Sequence, residues 1–456
     1  VNRRDFILGS TAATLGATAR ANAAYSRLDL SSRKEQSQES RYKLRIAPLK
    51  LDLGTGVEVK TIGYNGIVPG PLLRLEEGRP VSIDVFNETD VPELVHWHGL
   101  AIDPLNDGAM EEGSPMIPPG GQRRYNFTPR PAGSRWYHSH AAAGADLTRA
   151  TYSGQFGFLY IEPKANTGAY DHEIFLAVHH WDPMLAHTGP HKTCEVSYRH
   201  ASFNDKMLHA AEPLRVHQGQ RVLFHFLNAS ATENVELALP GHQLHVIALD
   251  GNPVPVPSAV NTISLGVAER VDAIVEMNSP GVWILGSTSE SERSIGLGLP
   301  IEYAGKRGEA QWIDPGKSDW SYLSFGNRKV HPVPEETFPM VFQKVIDDST
   351  DTERWTINGR SFPNIPPLKV KSGNRYRLAF YDASGDSHPV HLHRHSFELV
   401  SVNGVATSGI VKDTVRLDPY GSIEVDFVAE NPGPTLFHCH QQLHMDAGFI
   451  QLIQYV

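Results

Sequence analysis

Cysteine is almost absent: the 456 residues hold two, Cys194 and Cys439. That excludes a disulfide framework, and if Cys439 serves as a ligand no intramolecular disulfide remains. Positive charge is also short. Lys and Arg number 41 against 51 Asp and Glu, giving a formal net charge of −10 and a pI near 6.1. Such a balance argues against a nucleic-acid binder and offers no basic patch for anionic lipid. No apolar run reaches the roughly 18–20 residues needed to span a bilayer. Strong helical periodicity is missing as well. What the chain has instead is turns, with Gly 39 and Pro 32, between short alternating segments, the pattern of all-β sandwiches. At this length three domains of about 150 residues are the natural expectation.

The first residues read as an export signal. Arg3-Arg4-Asp5-Phe6-Ile7-Leu8 is a twin-arginine pattern, a mild apolar stretch follows, and Ala21-Asn22-Ala23 fits small-residue cleavage. Residues 1–23 are therefore expected to be a twin-arginine signal peptide and 24–40 a polar, flexible lead-in. A periplasmic or secreted location would follow, reached in the folded state through the twin-arginine export machinery.

One unit recurs three times. Leu73–Arg79 precedes Val81–Asn87, Leu214–Arg221 precedes Val222–Asn228, and Leu368–Arg375 precedes Tyr376–Phe380. Each is a strand, a glycine turn and an alternating strand, and each follows a turn signal: Asn65-Gly66, Asn204-Asp205 and Asn358-Gly359. Later, Gly133, Gly281 and Gly433 each lead into an aromatic strand. The expectation is three Greek-key β-sandwiches at 41–163, 169–304 and 336–456, with a polar, Trp-bearing linker over 305–335.

Twenty-three histidines would give about one His-x-His pair by chance. The chain has His96/His98, His138/His140, His391/His393, His393/His395 and His438/His440. Their placement says more than their number. His96 and His391 each lie eighteen residues after the repeat glycine, Gly78 or Gly373. His138/His140 and His438/His440 share the late strand of the first and third repeats, and the middle repeat has no histidine pair at either place. Eight imidazoles could thus converge where the first repeat meets the third, and imidazole suits copper. On a strand His438 and His440 face one way and Cys439 the other. With His388 and His444, Cys439 completes a His₂Cys set, the pattern of a blue-copper electron-transfer site. His179, His180, His187, His191, His209, His217, His225, His242 and His245 fall in the middle repeat and are given no role. His395 is read as structural and Cys194 as a bystander.

In HWHG from His96, HSH from His138, HPVHLH from His388 and HCHQQLH from His438, the chain resembles the multicopper oxidases, and among them the laccases. The resemblance spans all three repeats. It implies three cupredoxin-like domains and four coppers: a type 1 copper on His388, Cys439 and His444, a type 2 copper on His96 and His391, and a type 3 pair on His98, His138, His140, His393, His438 and His440. It implies a copper-dependent oxidoreductase taking single electrons from a small reducing substrate near His444, passing them through Cys439 to His438 and His440, and reducing dioxygen to water. Protons would come through Asp107, eleven residues after His96.

Three departures from the family pattern stand out. The axial position of the type 1 site is Phe449, which cannot coordinate and is expected to raise the potential by favouring Cu(I). Where the family usually has glycine after HLH, this chain has Arg394, either a fixed charge near copper or a partner of a surface carboxylate. Where many bacterial members have glutamate after the last type 1 histidine, this chain has Met445, so that proton-delivery role is vacant or moves to Asp446. Two other readings compete with phenol oxidation: a metal oxidase for Cu(I) or Mn(II) in copper tolerance, and a non-enzymatic exported scaffold. Seven methionines without a cluster weigh against the first, and complete ligand sets against the second.

Overall fold

The computed structural model describes residues 42–164, 169–188, 193–347 and 352–456. The signal and lead-in over 1–40 and His191 lie outside the described residues, as does the side chain of His187. The described chain is built of strands, with only short helices. Among the described residues no helix is long and apolar enough to cross a membrane.

The strands sort into three pairs of sheets. The first pair is a four-stranded sheet in the order Val57–Tyr64, Tyr42–Gly54, Val81–Asn87, Gln122–Phe127, and another in the order Gly70–Glu76, Phe156–Glu162, Gly133–His138, His96–His98. The second pair joins a six-stranded sheet running from Thr193–Phe203 to Asn252–Val260 with a five-stranded one running from Leu214–Val216 to Ile263–Leu265. The third joins a seven-stranded sheet that begins Thr352–Ile357, Glu336–Asp347, Arg375–Asp382 with a five-stranded one in the order Leu368–Val370, Ile450–Tyr455, Thr435–Cys439, His388–Leu392, Thr414–Leu417. Alternating residues turn inward along these strands, as in Ile83 and Val85 or Leu378 and Phe380.

The sequence repeat has a physical counterpart in three asparagine clamps. Asn65, Asn204 and Asn358 all adopt the left-handed conformation, with φ of 55°, 53° and 52°, which asparagine tolerates better than most residues. Each takes a backbone N–H on its Oδ1 and gives its Nδ2 to a carbonyl two residues earlier: Arg45 and Lys43, Ala177 and Phe175, Val341 and Pro339. Each turn is thereby fastened to the strand that opens its sandwich.

One apolar cluster runs through the second and third sandwiches without a break, from Leu176 to Ile453. Another fills the first sandwich around Trp97, Tyr125 and Tyr137. A third, containing Trp136, Phe156 and Trp181, seals the first sandwich against the second. The stretch over 305–335 lies on the surface and is anchored. Phe325 is fully buried, Trp320 packs against the main cluster, and Asn327 bridges to Ser408.

Candidate metal centre

Strand pairing brings the histidine motifs together. His96–His98 lies antiparallel to Gly133–His138, with His96 opposite His138. His388–Leu392 lies antiparallel to Thr435–Cys439, with His391 opposite His438 and Val390 opposite Cys439. The two pairs meet face to face. The rings of His96 and His393 stack at 4.0 Å and those of His98 and His391 at 3.7 Å. All eight imidazoles are buried.

The outer nitrogens of six rings are occupied. His96 Nδ1 donates to the Asp107 carbonyl at 3.0 Å and lies 3.1 Å from its Oδ2. His393 Nδ1 donates to the same Oδ2 at 2.8 Å. His138 Nδ1 donates to the Ser139 carbonyl, His438 Nδ1 to the Cys439 carbonyl and His391 Nδ1 to the Asp413 carbonyl, each at 2.8 Å. His98 is turned the other way, its Nε2 donating to Asp413 Oδ1 at 3.0 Å. These acceptors fix the tautomers and leave the inner nitrogens as lone pairs.

The inner nitrogens face one another. His393 Nε2 lies 3.0 Å and His140 Nε2 3.3 Å from His438 Nε2, and His138 Nε2 lies 3.4 Å from His98 Nδ1. The inner nitrogens of His96, His391 and His440 are buried without any partner. Burial holds the basicity of His98, His138, His140, His391, His393 and His440 well below the usual histidine range, and that of His438 at about 3. Neutral imidazoles converging with unsatisfied lone pairs are costly unless cations sit among them. Triads within ligand reach are His96–His98–His138, His140–His393–His438 and His96–His391–His393. The donor set fits copper.

On the other face of the strand Thr435–Cys439, the Cys439 sulfur lies 3.8 Å from His388 Nδ1 and 3.5 Å from His444 Nδ1. Burial pushes the thiol's pKa well up, so a thiolate here requires a cation beside it. His388 Nε2 is held by Ser384 Oγ at 3.1 Å and Asp382 Oδ1 at 3.3 Å, which turns Nδ1 toward the sulfur. Phe449, fully buried, sits 5.0 Å from the His388 ring. Trp355 closes the other side, 4.7 Å from His388 and 4.3 Å from His444.

Arg394 is buried and does not pair with a surface carboxylate. Its five N–H groups go to the Ile102, Pro434, Asn431 and Pro432 carbonyls and to Thr435 Oγ1. It ties the first sandwich to the third, with buried Glu112 at 3.9 Å. Met445 is packed with Ala109, Leu436 and Ile450. Asp446 is exposed and accepts from Ala143 N, Gly144 N and Gln442 Nε2. His395 is structural: its Nδ1 donates to the His393 carbonyl and its Nε2 meets Tyr455 Oη. The middle-domain histidines His179, His180, His225 and His242 also have protein partners. Cys194 lends its backbone N–H to Glu353.

Some residues around the site carried no sequence signal that was read. Asp413 holds His98 and is itself gripped by Arg270 of the middle sandwich at 2.7 Å and, at 3.4 Å, by Arg135 of the first. Although burial opposes it, Arg270 keeps the Asp413 carboxyl well below the usual carboxylate range. Lys412-Asp413, two charges inside an otherwise apolar strand region, was the available clue, since such charges persist only when paired. Trp355 had no comparable mark.

Three multicopper oxidase family models match the chain, over residues 46–166, 187–298 and 337–454, about three quarters of its length. The chain belongs to the multicopper oxidase family. It is 28% identical to the multicopper oxidase MmcO of Mycobacterium tuberculosis, covering 90% of this chain and 86% of that protein. It is 27% identical to Laccase-1 of Fomitopsis schrenkii over 84% of this chain and 81% of that one. The crystal structure of a multicopper oxidase from Pseudomonas thermotolerans superposes with a TM-score of 0.72 at 25% identity, covering 91% and 98% of the two chains. As a laccase-like multicopper oxidase with cupredoxin-like sandwiches, this protein is a copper-dependent oxidoreductase that uses dioxygen.

Proposed function

We propose that this multicopper oxidase holds four coppers and oxidises phenolic or similar small reducing substrates. In this reading His388, Cys439 and His444 hold the type 1 copper, His96 and His391 the type 2 copper, and His98, His138, His140, His393, His438 and His440 the type 3 pair. The observation that carries it is the sharing of one strand: the Cys439 thiol faces His388 and His444, while His438 on the same strand faces the imidazole cluster. When bound, the coppers supply one-electron acceptance at the first site and four-electron reduction of dioxygen to water at the second.

The chain's own groups do the rest. Trp355 and Phe449 exclude water from Cys439. Asp107 holds the Nδ1 proton of His96 on its carbonyl and that of His393 on Oδ2, and its Oδ1, buried without a partner, is the atom from which a proton would reach the cluster. The ligand-bearing domains are taken as 41–163 and 336–456, with 169–304 between them and 305–335 as linker. Export through a twin-arginine signal at 1–23 belongs to the same reading.

A phenol is favoured as substrate by laccase relatives of matching coverage and by the lack of a methionine cluster. Oxidation of Cu(I) is the second reading, since a copper resistance protein A homolog of Pseudomonas syringae pv. tomato also matches, at 22% identity. The test is copper per chain, visible absorption, and oxygen uptake with a phenol and with Cu(I). Near four coppers, a blue band and phenol-driven uptake are expected. Uptake on Cu(I) alone would move the protein to metal oxidation. Replacing Cys439 with Ser is expected to abolish both the blue band and turnover, and retained turnover would overturn the assignment.

A further inference from the structure

Two imidazoles of the cluster are set by one residue. Asp413 Oδ1 takes the Nε2 proton of His98 at 3.0 Å, and the Asp413 carbonyl takes the Nδ1 proton of His391 at 2.8 Å. Among the six rings with an occupied outer nitrogen, His98 alone carries its proton on Nε2. The Asp413 carboxylate therefore decides which His98 nitrogen faces inward. What holds that carboxylate comes from another sandwich. Arg270 spans it like a fork, with Nη1 2.7 Å from Oδ1 and Nη2 2.5 Å from Oδ2. Two parallel N–H···O bonds fix both the position and the plane of a carboxylate.

The backbone of the same segment is held from the same sandwich. Asp250 Oδ2 accepts from the Asp413 and Thr414 amides at 3.2 and 3.1 Å, and its Oδ1 accepts from the Arg270 amide at 3.0 Å. Lys412 Nζ lies 3.0 Å from Asp250 Oδ2 and 3.1 Å from Glu269 Oε1. Arg135, on the strand that carries His138, reaches Asp413 Oδ2 at 3.4 Å. Three cations and three carboxylates are thus buried together, and their charges balance. Removing one member leaves a buried charge uncompensated, and the members come from all three sandwiches. Gly99, next to His98, makes the room: a Cβ there would lie 2.6 Å from Asp413 Oδ2 and 3.0 Å from Arg270 Nη2.

We propose that Arg270 is a positioning residue for the imidazole cluster: from the sandwich between the two ligand-bearing ones it fixes the Asp413 carboxylate, and so the tautomer and ring orientation of His98. The inference rests on the trinuclear reading above. Without the guanidinium the carboxylate is free to turn toward Arg135, the cation still beside Oδ2, and His98 loses its acceptor. His98 then presents either nitrogen inward, and a nitrogen that carries a proton has no lone pair for a metal. His391 hangs on the Asp413 carbonyl, which Asp250 keeps in place through the backbone, so the loss falls on His98.

The experiment compares wild type, Arg270→Gln, Arg270→Lys and His225→Gln. In copper-free protein with isotope-labelled histidine, NMR reads which ring nitrogen carries the proton, and the His98 signal is assigned by its loss in His98→Gln. Wild type should show His98 protonated on Nε2. Arg270→Gln should show His98 exchanging between both tautomers. Arg270→Lys keeps the charge but loses the fork, and should show a smaller change of the same kind. On copper loading, Arg270→Gln should lose about ten- to a hundredfold in affinity at the cluster, read by competition with a chelator, with the blue band retained. His225→Gln is the control for mere loosening: His225 joins the same sandwich to Ser134 of the first at 2.8 Å without touching Asp413, so tautomer and affinity there should stay as in wild type. Wild-type tautomer and affinity in Arg270→Gln would overturn the proposal, and so would equal losses in His225→Gln. Copper per wild-type chain tests the ligand reading separately. A count well below four, with His98 held on Nε2 in wild type and released in Arg270→Gln, would overturn that reading and leave the grip on His98 standing. Where Arg270→Gln does not fold, Arg270→Lys decides, and wild-type tautomer and affinity there overturn the proposal.

Discussion

Phe449 and Arg394 show how single residues set this site. Phe449 fills the space beside His388 with a ring that offers no lone pair. Phe449→Met would place a thioether there, and the reduction potential of the blue centre should fall as Cu(II) gains a ligand. Redox titration of the blue band checks this, and an unchanged potential would mean that the sulfur does not reach the metal. Arg394 occupies a left-handed backbone position, φ 59°, where glycine would be relaxed. Removing that strain gains about 1–2 kcal/mol. Losing five donors to four carbonyls and a hydroxyl costs about 1 kcal/mol for each acceptor left bare, the Ile102 carbonyl and Thr435 hydroxyl being the buried ones. The hydrogen bonds win, so Arg394→Gly should destabilise the protein by several kcal/mol in urea denaturation. The candidate ligands were legible in the sequence, because copper demands particular side chains and these sit at matched places in two repeats, and the structure brings them within reach of one another. The role of Arg394 was not legible, because its acceptors come from residues near 102 and 431, far from it in the chain.

At the scale of elements, the short helix Pro104–Asp107 places Asp107 under His96 and His393. Asp103 Oδ1 caps it by accepting from Asn106 N, and Gly108 ends it at φ 93°. A Cβ at Gly108 would lie 1.8 Å from the Val95 carbonyl oxygen, on the backbone just before His96. Gly108→Ala should therefore push Asp107 away from the two imidazoles. The expected result is fewer coppers per chain with the blue band retained, since Cys439 and His444 lie on other elements. Copper analysis with visible spectroscopy would show it, and full loading would mean that the helix yields without moving Asp107. Sequence alternation and glycine turns made the strands readable. The sheet order was not readable, because it depends on which edges meet after the chain has turned back several times. Asn65, Asn204 and Asn358 were visible as turn signals, but their clamping of the opening strands depends on residues 17 to 29 positions earlier.

At the scale of the whole molecule, the middle sandwich holds no candidate copper ligand among its described residues and yet orders the other two. Arg270 reaches Asp413 beside His98, and a second junction joins the first sandwich to the middle one. There Ser134 Oγ, His225 Nδ1 and Asp272 Oδ1 lie mutually 2.8 Å apart, and His225 Nε2 is 3.2 Å from Glu173, which also holds Arg74. Burial opposes charge on His225, but Asp272 and Glu173 outweigh it and raise the imidazole to about 9. A histidine raised in the folded state contributes stability that is fully present below its unfolded value near 6.5 and is lost as pH rises through about 9. The rise corresponds to roughly 3 kcal/mol at most, since each pKa unit is about 1.4 kcal/mol. His225→Gln keeps a polar group but cannot carry the charge. Its melting temperature should fall below wild type by the largest margin near pH 6, and the gap should close between about pH 7 and 10 as the wild-type imidazolium deprotonates. Thermal unfolding across that range is the measurement. A gap independent of pH would mean that His225 is neutral in the folded protein and that the junction is held by packing rather than charge. Nothing in the sequence marked His225, because its three partners lie between 47 and 91 residues away: strand pairing within the middle sandwich brings Asp272 and Glu173 to it, and docking of the first sandwich brings Ser134.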